Sequence, residues 1–193
     1  MPLRGSDFAK DQYYHVFNRG AGKGPMFFNP DNYTHLIKLV KRYSPKYHIA
    51  IIAYCLMPNH YHFLLRQESD TPLSKYINVL FIAYVQAINL QQGRKGTLFE
   101  GRFRHILVDR FDYLIHLCRY IHNNPRKAGI VMNLEDWPYS NYLDWVGLRN
   151  GELIDHEFIN DFFPDAGRTY PKFVNDLQEE MRMEERISRY LWD

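Results

Sequence analysis

The chain has 193 residues, of which 46% are hydrophobic and 24% charged, and its formal net charge is +2. That length gives one domain, or one domain with an appendage, and is enough to bury a real core. Two cysteines, Cys55 and Cys118, both in apolar segments, exclude a disulfide framework and predict buried, reduced thiols. No apolar run reads as long enough to span a bilayer, and residues 1–6 lack the apolar core of a signal peptide, so no membrane is expected and the expected location is the cytoplasm.

The charge is unevenly spread. Residues 1–134 carry 18 Lys and Arg against 8 Asp and Glu, a surplus of +10, whereas residues 135–193 carry 6 against 14, a balance of −8. A basic body suits a polyanionic partner; ordinary surface charge is the plainer alternative.

Residues 13–18 are aromatic and β-branched and predict a strand. Arg19, Gly20, Gly22, Lys23 and Gly24 follow as a basic Gly-rich loop. It lacks Walker spacing, and a phosphate cradle and a plain turn fit it equally. Asn29, Pro30 and Asp31 open a helix to about Tyr43, with Tyr33, Leu36, Ile37 and Val40 on its apolar face. An apolar run over 49–56 and an alternating pattern from His60 predict two strands joined tightly at Pro58 and Asn59. Alternate residues of a strand share a face, so His60 and His62 point one way and Tyr61 the other. Two imidazoles about 7 Å apart at Cα can converge on one divalent ion; two polar residues on a solvated strand face are the alternative.

Ser69, Asp70, Thr71 and Pro72 predict the cap of a second helix running to about Gln91, with Leu73, Tyr76, Ile77, Leu80 and Tyr84 at core spacing. Residues 97–108 alternate as a strand, which would put Arg102 and Arg104 on one face. Such a face suits a nucleic-acid backbone or is simply exposed. Asp109 is expected to begin a third helix that carries Tyr120 and ends near Pro125, because proline disfavours helical geometry in the residue before it. Further on, Phe158, Phe162 and Phe163 predict a small helix and residues 175–190 a charged one. This order predicts an α+β fold, a mostly antiparallel sheet with helices packed on it.

Four stretches occur in order: Tyr14-His15-Val16-Phe17-Asn18-Arg19-Gly20, Leu56-Met57-Pro58-Asn59-His60-Tyr61-His62, Gly101-Arg102-Phe103 and Tyr120-Ile121-His122-Asn123-Asn124-Pro125. Together they resemble the IS200-like single-tyrosine (HUH, Y1) transposases, and among these the REP-associated tyrosine transposases, over roughly residues 13–145. The resemblance implies a ferredoxin/RRM-like HUH fold for residues 1–145, with 146–193 an acidic, mainly helical C-terminal extension. It implies metal-dependent cleavage and strand transfer of single-stranded DNA at hairpin-flanked sites. Carried over, His60, His62 and Asn124 would hold Mg²⁺ or Mn²⁺ and Tyr120 would be the nucleophile. Tyr120 and Asn124, four apart on a helix, share a face. The chain departs from the family pattern at Arg126, where an apolar residue is usual, and at Asn141, within a Tyr139-Ser140-Asn141-Tyr142 stretch where Ser-Ser-Tyr is common.

Attack by Tyr120 on a phosphodiester would give a 5′-phosphotyrosine and a 3′-OH and keep the bond energy for rejoining. A phenol with an unperturbed pKa of ~10 must lose its proton; His122 and Lys127 are near in sequence, and neither is assigned that role. Arg19, Arg102, Arg104 and Lys127 are the basic residues expected to contact DNA. Two other classes compete: a metal-dependent hydrolase using His60 and His62, and a non-catalytic sheet that stacks single-stranded nucleic acid. Monomer and homodimer stay open. The acidic extension is expected to pack down beside the DNA surface as a regulator, the alternative being that it completes the core.

Overall fold

The computed structural model describes residues 8–176 together with 178, 181–183 and 188. Four strands, β1 (Tyr13–Arg19), β2 (Ile49–Met57), β3 (His60–Gln67) and β4 (Arg104–Leu107), form one sheet in the order β2-β3-β1-β4. Every pairing is antiparallel, as expected. Residues opposite each other in such a ladder share a face. The pairs Phe17–His62, Cys55–His62 and Phe17–Arg104 therefore put His62, Phe17, Cys55 and Arg104 on one side.

Pro58 and Asn59 form the two-residue link between β2 and β3. Proline offers no donor to a ladder, so the hairpin tip is a position that tolerates it. The Gly-rich loop folds onto this tip: Gly20 N donates to Asn59 O at 2.8 Å and Met26 N to Pro58 O at 2.8 Å. Gly20 is required there, because a Cβ would lie 2.0 Å from Gly24 O. The loop is thus a clasp on the hairpin.

Helices α1 (Pro30–Tyr43) and α2 (Leu73–Gln91) cover the face that carries Tyr61, whose ring stacks on Phe81 at 4.4 Å. Asn29 caps α1, its side chain accepting from Asn32 N at 3.1 Å. The expected cap of α2 is replaced by a tertiary one. Gln67, at the end of β3, accepts from Leu73 N at 2.8 Å, while the Ser69 hydroxyl takes only Thr71 N. Contrary to the sequence reading, α2 is by length and composition apolar enough to cross a bilayer. One face of it, including Tyr76, Ile77, Leu80 and Tyr84, is buried in the core.

Two further expectations are corrected. The strand over 97–108 is only four residues long. Thr97 Oγ1 bonds locally with Phe99, and Glu100 N donates to Arg19 O, so residues 97–103 wrap over the end of β1 instead of extending. Arg102 therefore sits in a loop and does not share a strand face with Arg104. Helix α3 (Phe111–Lys127) does not stop at Pro125 but contains it. In the last turn proline forfeits a single helical bond, and Ala128 N to Asn124 O and Ile130 N to Pro125 O, both 2.9 Å, close the end.

After α3 the chain forms α4 (Tyr142–Trp145), α5 (His156–Phe162) and α6 (Ala166–Asn175). The charged helix expected over 175–190 lies mostly outside the described residues. A register shift between Ile51 and Ala53 frees the Ile52 carbonyl, which accepts from Asn141 Nδ2 at 3.0 Å and Trp145 Nε1 at 3.1 Å. Tyr170 and Val174 of α6 are fully buried and belong to the same apolar core as Leu117 and Cys118 of α3. Arg126, the departure from the family pattern, bonds Asn175 Oδ1 at 2.5 Å and Val174 O at 3.5 Å.

Burying one large apolar side chain contributes about 1.5–3 kcal/mol, against a typical net stability of about 5–15 kcal/mol. Truncation after residue 145 removes Leu153, Phe158, Phe163, Tyr170 and Val174 from the core together. The truncated chain is expected to be insoluble or to lack a cooperative thermal transition. A soluble fragment with a cooperative melt near that of the full chain would contradict this account.

Candidate active site

Helix α3 lies on the sheet face opposite α1 and α2 and brings Tyr120 against the histidine pair. The Tyr120 ring is 5.6 Å from that of His62 and nearly perpendicular to it, and His60 and His62 are 5.1 Å apart between ring centres. Tyr120 is 8% exposed and His62 1%, so the nucleophile candidate faces solvent only at a margin.

Asn124 joins them. Its Nδ2 donates to Tyr120 O at 2.9 Å, which turns Oδ1 toward His60 Nε2 at 3.4 Å. On the other edge of that ring, His60 Nδ1 is 2.8 Å from Asn59 Oδ1, and Asn59 Nδ2 donates to Lys23 O at 3.3 Å. With the Asn59 amide oriented by the loop, its oxygen accepts and His60 Nδ1 carries the proton. Burial lowers the His60 pKa from its ordinary value, partly offset by Asn124, so the ring is neutral near pH 7. His60 then offers an Nε2 lone pair to an amide oxygen, two acceptors facing across 3.4 Å. In that tautomer both atoms could serve as ligands to one divalent ion. His62 is held neutral more firmly, by burial first and then by the neighbouring His15 and His60. Two neutral imidazoles and an amide oxygen fit a divalent ion with positions left open for phosphate. Among the described residues no group of three or more His, Cys, Asp or Glu is placed to hold a metal, so the set depends on Asn124.

The basic candidates are placed unequally. Arg104 lies opposite Phe17 on the sheet face of His62, and Arg19 lies opposite His60. Arg19 is engaged by Glu100, through Nη2 to Oε1 at 2.8 Å and a second contact from Nε. Arg19, Arg102 and Arg104 line a cleft of about 330 Å³ with Phe17, Glu100 and Gly101. Lys127 Nζ lies 5.8 Å from the centre of the Tyr120 ring, one turn beyond Asn124. A larger groove, about 730 Å³, opens under α2 beside Tyr61 and Phe81, on the opposite face of the sheet.

His122 is not near the phenol's reacting side. It is buried, with Nδ1 2.7 Å from Tyr170 Oη and Nε2 2.9 Å from Asn141 Oδ1. Two residues were missed as parts of the site. His15 places Nε2 3.0 Å from His62 Nδ1, and Asn59 holds His60. Strand alternation could have put His15 on the face of Phe17, but only the register of β1 against β3 brings it to His62.

A sequence profile described as "Transposase IS200 like" matches residues 9–124, and the chain belongs to that family. It is 30% identical over 113 residues to a Haemophilus influenzae protein named as a candidate REP-associated tyrosine transposase, covering 53% of this chain and 64% of that protein, less than two thirds of its length. It is 29% identical over 125 residues to a REP-associated tyrosine transposase of Escherichia coli, covering 58% and 70% respectively. The solved structure of a REP-associated tyrosine transposase bound to a REP hairpin shares the fold, with a TM-score of 0.65 at 20% identity over 80% of this chain and 94% of that one.

Burial of His122 pushes its pKa down to about 4, with Asn141 and Asp144 opposing the shift. The folded state therefore takes up its proton at lower pH than the unfolded chain, whose histidines titrate near ~6.5. Stability from this group is complete above that value and is lost as pH falls toward 4, by roughly 3 kcal/mol in all. Urea midpoints at pH 7 and pH 5 should differ less for His122→Gln than for the unsubstituted protein. An equal fall in both would show that His122 does not titrate in this way.

Proposed function

We propose that the protein cleaves and rejoins single-stranded DNA beside a hairpin, with Tyr120 as nucleophile. The observation that carries this reading is the convergence of Tyr120, Asn124, His60 and His62 on one sheet face in a chain of the IS200-like family. The names of the relatives and the hairpin bound to the structural neighbour support a palindromic repeat as the DNA partner.

His60, His62 and Asn124 would hold the divalent ion, Mg²⁺ or Mn²⁺. When bound, it supplies charge at a nonbridging phosphate oxygen and makes phosphorus more electrophilic. Tyr120 contributes the attacking oxygen. Its bond to phosphorus forms as the bond from phosphorus to the 3′ oxygen breaks, leaving a 5′-phosphotyrosine and a 3′-OH. The reverse attack by a 3′-OH rejoins strands without another energy source. The i, i+4 spacing and the Asn124 bond to Tyr120 O fix nucleophile and ligand on one rigid turn. Lys127 stands over the phenol ring, so its charge lies beside both the nucleophile and the phosphate it would attack. Arg102 and Arg104 would track the backbone along the cleft, and Arg19, tied to Glu100, would border it.

Incubation with a hairpin oligonucleotide carrying single-stranded flanks and Mg²⁺ or Mn²⁺ should give an SDS-stable protein–DNA adduct. Tyr120→Phe should abolish the adduct and leave DNA affinity within about threefold, since phosphate contacts dominate binding. An undiminished adduct in the Phe variant would reject Tyr120 as nucleophile. A hydrolase would cleave without an adduct, and a binding module would do neither.

Arg102→Ala and Arg104→Ala should each weaken binding to all single strands alike and flatten the plot of log affinity against log salt by about 0.7 per lost contact. Unchanged affinity and slope would place the cleft away from the DNA.

A further inference from the structure

His15, which the chemistry above does not use, forms a buried pair with His62. Their nearest nitrogens, His15 Nε2 and His62 Nδ1, are 3.0 Å apart, and their rings lie 5.2 Å apart at 22°. Both side chains are essentially inaccessible, at 0% and 1% exposure. A nitrogen–nitrogen contact of this length away from water holds one proton between the two atoms. If His15 Nε2 carries it, His62 accepts at Nδ1, must be protonated at Nε2, and cannot bind an ion there. If His62 Nδ1 carries it, His62 Nε2 has a lone pair to give. Only the second arrangement makes His62 a ligand.

The same logic operates at the other ligand ring. Asn59 takes the Nδ1 proton of His60 and leaves Nε2 toward Asn124. The two rings are thus served from two directions, His60 by the hairpin tip and His62 by the adjacent strand. The antiparallel register places His15 diagonally across from His62, next to Phe17, whose ring packs 4.8 Å from that of His15.

We propose that His15 is a positioning residue of the metal site, accepting the Nδ1 proton of His62 and so holding that ring in the tautomer that offers Nε2. This rests on the reading of His60, His62 and Asn124 as metal ligands. His15 is not itself a ligand in this account. It acts through His62, by fixing the ring plane and by raising the basicity of the coordinating nitrogen, as outer partners of ligand histidines do.

The test is long-range proton–nitrogen NMR on the full chain labelled with ¹⁵N-histidine, without metal, together with Mn²⁺ titration followed by electron paramagnetic resonance. In the unsubstituted protein, His62 should show a protonated Nδ1 and a pyridine-like Nε2. His15→Gln, whose amide oxygen can accept the same proton, should keep that tautomer and bind Mn²⁺ within a few-fold. His15→Leu should mix the tautomers and weaken Mn²⁺ binding by about 10–100-fold. Finding His62 protonated at Nε2 in the unsubstituted protein would overturn the proposal without any variant. A folded His15→Leu protein with the same tautomer and the same Mn²⁺ affinity would overturn it too. If the unsubstituted protein bound no Mn²⁺ while the His62 tautomer still followed residue 15, the metal reading would fail and the proposal with it, leaving only the control of the tautomer by His15.

Discussion

The seating of α3 across the histidine face of the sheet is the constraint on which everything else depends. The Tyr120 ring stands edge-on to His62 and Asn124 reaches His60 only because this one helix is fixed in direction and depth. The helix is held from behind by the part of the chain that follows it. His122 bonds Tyr170 and Asn141, Arg119 bonds the carbonyls of Phe173 and Asp176, and Arg126 bonds α6. These residues lie one before, two after and six after Tyr120, so α6 grips α3 along the length that matters. A further anchor is Asn141, which satisfies Tyr54 N and the Ile52 and Leu153 carbonyls at the β2 irregularity. The extension thus packs behind α3 through buried aromatic and apolar groups as well as these bonds.

Burial also sets the charge state of the site. Imidazoles removed from water resist protonation, and neutral imidazole is the form that binds metal. His60 and His62 are kept neutral by the same enclosure that leaves the Tyr120 ring only marginally exposed. Positive charge is carried instead at the rim, by Arg104, Arg102 and Lys127, where a phosphate chain would pass. Neutral imidazoles with cationic side chains nearby would suit the anionic substrate proposed above.

Much of this was legible in the residues, and the exceptions share a cause. The common face of His60 and His62 follows from strand alternation, and that of Tyr120 and Asn124 from the helical repeat, so both halves of the site could be read separately. Their meeting could not be read from either pattern; it rests on helix packing, and the family resemblance supplied it. His15 stands in the first motif without a legible role, because register between strands is a tertiary property. Gln67 caps α2 from a neighbouring strand, where local capping residues had seemed sufficient. The strand expected over 97–108 is cut short because Thr97 bonds locally to Phe99 and Glu100 N bonds Arg19 O across the end of β1, neither of which alternation reveals. Pro125 marks the end of α3 to within two residues, since in a last turn it removes little and the helix runs on to Lys127. Net charge does not reveal where the C-terminal extension sits; its buried Phe158, Phe163, Tyr170 and Val174 join the core.

The central claim is that one tyrosine, set by α3 beside the histidine pair, becomes joined to the 5′ end of a cleaved strand. Its most direct test is to digest the SDS-stable adduct formed on a hairpin substrate and locate the nucleotide by tandem mass spectrometry. This account predicts a single modified peptide, with a 5′-phosphate linked to Tyr120 Oη and an unmodified 3′-OH on the released strand. A nucleotide carried on any other residue, or attached through a 3′-phosphate, would contradict it.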